Sequence, residues 1–163
     1  MENVFGTEFD QTNDRPGYRW DRIRLGRRLG GEMLGASVYV LHPGEKSYPY
    51  HLHHANEELL LVLEGDVLVR TPAGEEPAGV GDAVLFGRGP EGAHQVINRS
   101  DQPARFIMFS TMVEPEIAEY PDNGNLGVFA GRAPGADGPA HLERFVDGSA
   151  QRDYYAEGPT SPR

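Results

Sequence analysis

The sequence predicts an all-β fold, a small antiparallel barrel or sandwich, and three observations carry that reading. Six strand-like runs fall within roughly 75 residues, and none has helical spacing. Glycine (21) and proline (13) are abundant, which suits many short strands joined by turns better than long helices. At 163 residues the chain has the length of one domain with a single sizeable core.

Taken in order, residues 1 to about 20 read as a polar leader with turn residues Asn13, Asp14, Pro16 and Gly17. The single tryptophan, Trp20, closes it and is expected to anchor an arm (1–27) on the domain surface through its buried aromatic area. The barrel is expected over 28–113. SVYVL (37–41) opens it, followed by the turn-rich HPGEKSYP. LLLVLE (59–64) and VLVRT (67–71) flank Gly65-Asp66, so these two read as a tight hairpin, ended by Pro72-Ala73-Gly74. AVLF (83–86), HQVIN (94–98) and RFIMFSTM (105–112) complete the set. LLLVL and FIMF are apolar at successive positions, so both faces of the sheet need cover, and packing against a second copy as a homodimer would supply it. Beyond 113 the punctuation is dense and the periodicity weak. That stretch (114–163) reads as an irregular C-terminal extension over the barrel, with LERFV (142–146) as a late element, Tyr154-Tyr155 packing on it and EGPTSPR disordered.

Composition narrows the function. Fifteen basic against 25 acidic residues give a net charge of −10, a field that repels phosphate backbones and anionic lipid, so neither nucleic acid nor membrane is an expected partner. The absence of cysteine excludes disulfides, thiolate ligands and a thiol nucleophile. The N-terminus lacks a basic-then-apolar leader and no run reaches spanning length, so a cytoplasmic location is the expectation.

Chemistry concentrates in HLHHANEELLLVLEG (51–65). On a strand, His51 and His53 share one face, with Cα atoms about 7 Å apart, and can converge on one ion. Glu58 lies five positions past His53, an odd step that would aim it at the other face of an unbroken strand. A turn or bulge at His54-Ala55-Asn56 would reset the phase and turn Glu58, Leu60 and Val62 inward; without it, Glu57 faces inward with Leu59 and Leu61. His94 follows the Pro/Gly turn PEGA and shares a face with Val96. Three imidazoles and a carboxylate suit a first-row divalent ion. His54 reads as a turn residue or outer-sphere donor, and His42 and His141 as surface residues. Tyr48, Tyr50, Arg70, Gln95 and Arg105 are the polar candidates near the mouth; Val84 with Phe86, or Ala83 with Leu85, extend the inner lining.

These residues resemble the two motifs of the cupin superfamily. The first reads here as Gly44, six residues, His51-Leu52-His53, four residues, Glu58, six residues, Gly65; the gap after Gly44 is one longer than the family pattern. The second reads as Gly81, eight residues, Pro90-Glu91-Gly92, one residue, His94, three residues, Asn98, with eight in place of five before the proline and one in place of two before the histidine. The Glu58-to-Gly65 spacing selects Glu58 over Glu57. The resemblance, to the small single-domain conserved-barrel (type-2) cupins, implies a double-stranded β-helix or jelly-roll barrel, commonly dimeric. It implies one divalent ion (Mn, Fe, Ni, Co or Zn) held by His51, His53, Glu58 and His94. The family hosts enzymes and binding proteins alike, so the fold leaves the reaction open. The expectation is a metal-dependent enzyme acting on a small organic acid, enol or sugar derivative; a binding module without turnover is the alternative. An open coordination position facing a pocket with charged or tyrosine side chains would mark the enzyme.

Overall fold

The structure is a computed structural model and describes residues 1–136, 140–150 and 153. Tyr154-Tyr155 and the closing EGPTSPR lie outside the described residues. Among the described residues, thirteen strands and one four-residue α-helix confirm the all-β class. They are β1 (Gln11–Asn13), β2 (Trp20–Ile23), α1 (Leu25–Arg28), β3 (Leu34–Leu41), β4 (Leu52–His53), β5 (Glu58–Glu64), β6 (Val67–Thr71), β7 (Gly74–Ala78), β8 (Ala83–Phe86), β9 (Gln95–Ile97), β10 (Ala104–Thr111), β11 (Glu116–Tyr120), β12 (Asn125–Ala130) and β13 (Leu142–Asp147). Among the described residues no helix is long and apolar enough to cross a membrane.

Three antiparallel sheets form the jelly roll: β1-β2-β3-β10-β5-β8, β7-β6-β9, and β13-β12-β11-β4. The first two face each other. Alternation along each strand sends one set of side chains into the space between them: Trp20, Tyr39, Leu41, Leu60, Val62, Val67, Val69, Phe86, Val96 and Phe106 are all buried there. Gly65 makes the β5–β6 hairpin turn at φ +71°, backbone that disfavours a Cβ, and a Cβ there would also press on Pro103 O at 3.1 Å. The phase of β8 is settled by exposure: Phe86 is buried whereas Leu85 is 65% exposed.

The leader does more than anchor. Its β1 and β2 extend the large sheet beside β3, with Trp20 opposite Leu41 and Arg22 opposite Tyr39. Trp20 stands inside the barrel, its ring edge-on to Tyr39 at 5.5 Å. Val4, Phe9 and Leu25 cover part of the sheet's outer face over Ile23, Val38, Leu61 and Ile107, so the chain's own arm covers part of the surface for which a second copy was expected.

Two sets of strands were not legible as periodic runs. β7 is GEEPA, four of its five residues exposed, and it forms because β6 offers a full edge from Val67 to Thr71. After 113 the stretch expected to be irregular holds β11 (EIAEY) and β12 (NLGVFA), which mix polarity and are held by successive pairing and by β4 rather than by an apolar stripe, whereas the exposed β13 (LERFVD) is the late element expected at 142–146. This small sheet lies across one end of the barrel, with Ala118 opposite His53.

Candidate metal centre and its cavity

Backbone pairing brings the histidines together. His51 and His94 form an isolated antiparallel bridge, with His51 N–H to His94 O at 3.1 Å and His94 N–H to His51 O at 2.8 Å. Their rings end 4.6 Å apart. The turn before His94 packs so closely that a Cβ on Gly92 would sit 1.6 Å from Gly87 O, which requires glycine there. His53 follows His51 on the same face, rings 5.0 Å apart.

The expected break falls at His54-Ala55-Asn56. The chain leaves β4 in the small sheet and enters β5 in the large one, so the odd spacing never has to be met within one strand. Buried Asn56 pins the crossing: its Oδ1 accepts from Thr111 Oγ1 (3.1 Å) and Val113 N–H (2.7 Å), and its Nδ2 donates to Val113 O (3.0 Å) and to Glu116. Glu58 therefore turns inward and Glu57 stays exposed. Ligand atoms of His51, His53 and Glu58 all lie within 4.8 Å of one another. Glu58 Oε2 is 3.6 Å from His53 Nε2 and 3.0 Å from His94 Nε2.

The hydrogen bonds around the cluster aim free lone pairs at it. Carbonyls of Pro49 and Gly92 lie 2.9 Å from the Nδ1 atoms of His51 and His94, which fixes Nδ1 as the protonated nitrogen and leaves each Nε2 as a lone-pair donor. His94 Nε2 is buried with no hydrogen bond, despite its closeness to Glu58. A buried polar atom left in that state is what an ion would satisfy. His94 is further held by stacking on Phe86, ring centres 3.9 Å apart. Burial, with His94 and His53 alongside, pushes the His51 imidazole down to about 3, so it stays neutral. Burial works against ionisation of Glu58, yet His53 beside it holds its carboxyl well below the usual value. A neutral His51 and an ionised Glu58 are in the protonation states a divalent ion needs.

Glu116 was invisible as a functional residue in the sequence. It is fully buried, accepts from the His54 and Ala55 N–H groups (2.9 and 3.3 Å) and from Asn56, and its Oε2 lies 3.8 Å from His53 Nδ1. At that distance Glu116 makes no hydrogen bond to Nδ1 and acts on the imidazole through its charge, which raises the ring's basicity. The only cue was Glu116 in a stretch without periodicity. His54 instead bonds Glu119 at 2.7 Å on the surface, and His42 bonds Asp21 at 3.0 Å.

The cluster borders a cavity of about 290 Å³. Tyr39, Tyr48 and Tyr120 line it with Arg22, Ser47 and Ser110. Tyr39 and Tyr48 share a hydrogen bond at 3.2 Å, and burial raises both phenols and that of Tyr120, keeping them neutral donors. Of the five polar residues expected at the mouth, Tyr48 lines the cavity. Arg70 instead forks onto Asp122 (2.7 and 2.8 Å) and stacks over Tyr50 at 4.0 Å. Arg105 clamps Glu64 and the arm carbonyls of Val4 and Gly6, and Gln95 donates to Tyr48 O.

Comparison with known proteins agrees with the barrel fold. The family model for the cupin domain matches residues 37–110. A sugar phosphate isomerase of the cupin superfamily from Silicibacter pomeroyi superposes with a TM-score of 0.72 at 27% identity, covering 89% of this chain and 90% of that one. A protein from Acidithiobacillus ferrooxidans, named as a candidate sugar phosphate isomerase, gives 0.72 at 25% identity, covering 85% and 82%. The polyketide cyclase RemF of Streptomyces resistomycificus shares the fold at 23% identity, with a TM-score of 0.56 and coverage of 68% and 79%. No curated protein matches the chain in sequence.

Proposed function

This is a cupin-domain protein, and from that premise we propose that it is a divalent-metal-dependent enzyme that isomerises a small phosphorylated sugar. One observation carries the reading. Three imidazoles and one carboxylate, with the Nε2 atoms of His51 and His94 left free for coordination, stand on the wall of a cavity that hydroxyl groups line. His51, His53, Glu58 and His94 would hold the ion. Four protein ligands leave positions for substrate oxygens on an ion that accepts six. When bound, such an ion supplies Lewis-acid polarisation of a carbonyl.

The chain's own residues bind and orient the substrate. Tyr39, Tyr48 and Tyr120 stay protonated and offer O–H donors to the hydroxyls of a polyol. Ser47 and Ser110 add further small polar contacts. Met108, Phe106 and Phe129 give the cavity apolar walls that exclude water around the carbon chain. The tyrosines and Arg22 favour turnover over a binding module, whose pocket would need no polar handle besides the ion. The two sugar phosphate isomerase neighbours support the substrate class. We also propose a homodimer, with a second copy over the outer row in which Leu59 (37% exposed) pairs with Leu85 (65% exposed).

The test is direct. Protein loaded separately with Mn, Fe, Co, Ni or Zn is incubated with aldose phosphates in D2O and followed by proton NMR. Aldose–ketose conversion with deuterium entering next to the carbonyl, lost in His51→Ala, is the expected result. No conversion or exchange with any metal across a panel of sugar phosphates overturns the reading.

A further inference from the structure

A second recess of about 420 Å³ adjoins the cavity over the histidines, and the two share Arg22, Ser37, Ser110, Pro134 and Gly135. Arg22 therefore stands on the wall between them. It lies on β2, outside the residues 37–110 that the family model matches. Its side chain shares the inner face with Trp20, and its guanidinium is 5.4 Å from the Tyr39 ring centre.

The partners of this guanidinium are all neutral. Nε and Nη2 both donate to buried Ser37 Oγ, at 2.9 and 2.7 Å, and Nη1 donates to Gln11 Oε1 at 3.3 Å. A guanidinium has five N–H donors, so two stay uncommitted. In a chain with 25 acidic and 15 basic residues, arginines find carboxylates readily. Arg19, Arg28, Arg70, Arg99, Arg105 and Arg132 are each paired with one. Arg22 makes no ion pair among the described residues, although it is half-buried and a buried charge is costly without a counter-charge. Ser37 fixes its position, and among the described residues no carboxylate pairs with it.

Register sets its distance from the histidines. Ser37 pairs with Met108 and Met108 with Leu60, and Glu58 is one two-residue step along β5 from Leu60. Two strand spacings and one such step separate the Cα atoms of Ser37 and Glu58 by roughly 12 Å. A sugar carrying its carbonyl at one end and a phosphate at the other has a span of this order.

We propose that Arg22 is the anion anchor of the cavity and receives the phosphate of a phosphorylated sugar whose oxygen-bearing end lies at His51, His53, Glu58 and His94. The anchor rests on the sugar-phosphate reading above and supplies the charge by which a phosphorylated sugar is told from the free one. Arginine suits the task because its planar fork meets phosphate oxygens in pairs.

Calorimetric titration with D-ribose 5-phosphate and D-ribose as probes tests it. Wild type is expected to bind the phosphorylated sugar roughly 10- to 100-fold more tightly than the free one. Arg22→Gln should bring that ratio near unity while D-ribose affinity and metal content hold, and Arg22→Lys should recover part of it. Ser37→Ala, which frees the guanidinium from its acceptor, should lower the ratio several-fold and serves if Arg22→Gln fails to fold. A wild-type ratio retained in Arg22→Gln, or no preference in wild type, overturns the anchor. Inorganic phosphate with metal-free protein separates this from the functional reading. If no sugar binds or isomerises, that reading falls. Arg22 then stands if phosphate raises the melting temperature of wild type and not of Arg22→Gln, and falls if the two respond alike.

Discussion

The two ends of the barrel are built from the same strands and do opposite things. Toward the closed end, β3 contributes Leu41, β5 contributes Leu60 and Val62 and β9 contributes Val96, all nearly or wholly buried and apolar. At the other end the same β5 begins with Glu58, and the residue before Val96 on the same face is His94. Alternation decides which face a side chain occupies, but position along the strand decides whether that face is dry core or site. A site at the strand ends can draw ligands from two sheets and be covered by a third, here β11 with Tyr120 against His51. Burial is high at both ends; what differs is the chemistry of the buried side chains. The closed end is apolar, whereas the open end leaves His94 Nε2 without a hydrogen bond.

Substitutions at the two ends should therefore separate stability from binding. The largest effect on stability is expected from Leu41→Ala, which empties part of the closed end and should cost about 2–5 kcal/mol in denaturant unfolding, with metal stoichiometry unchanged in the fraction that folds. A loss of metal greater than the loss of fold would break the division. Next is Glu116→Gln, which keeps the shape and removes the carboxylate behind His53. Metal affinity, measured by chelator competition, should fall roughly 10- to 100-fold. Wild-type affinity would show that Glu116 only tethers the His54–Asn56 crossing.

A smaller effect follows from protons. Burial lowers His53, but Glu58 and Glu116 more than offset it, so in metal-free protein the imidazole is raised above its ordinary 6.5. An ion must displace that proton, so apparent affinity should drop below the raised value by up to about tenfold per pH unit. The sign for stability is the reverse: the proton's contribution is full below 6.5 and is lost as pH rises through the folded value. A pH-independent metal affinity between about pH 5.5 and 8 would contradict this. The smallest effect is expected from Glu57→Ala, an exposed position, with stability within about 0.5 kcal/mol of wild type and metal affinity unchanged.

How much of this was legible in the sequence follows the same division. Runs such as LLLVLE and AVLF declared themselves because burial on the inner face demands apolar residues there. His51, His53, Glu58 and His94 were legible through motif spacing, which preserves the turn geometry at Asn56 and Gly92. Arg22, Tyr39, Tyr120 and Glu116 were not. Each reaches the cavity through a pairing partner far away in sequence: Arg22 through β3, Tyr120 and Glu116 through β4 and β12. Long-range register leaves no local pattern. The same holds for GEEPA, a strand whose residues have weak β-propensity and which exists because β6 has an edge to fill.

The central claim is that the partnerless nitrogens at the open end hold an ion. Elemental analysis of protein purified without added metal or chelator, beside the His51→Ala, His53→Ala double variant, tests it most directly. The account predicts about one equivalent of a single divalent transition metal per chain, absent from a variant that keeps its β-sheet circular dichroism. Wild-type protein that holds no metal even after reconstitution, or a double variant that retains it in full, would contradict the account.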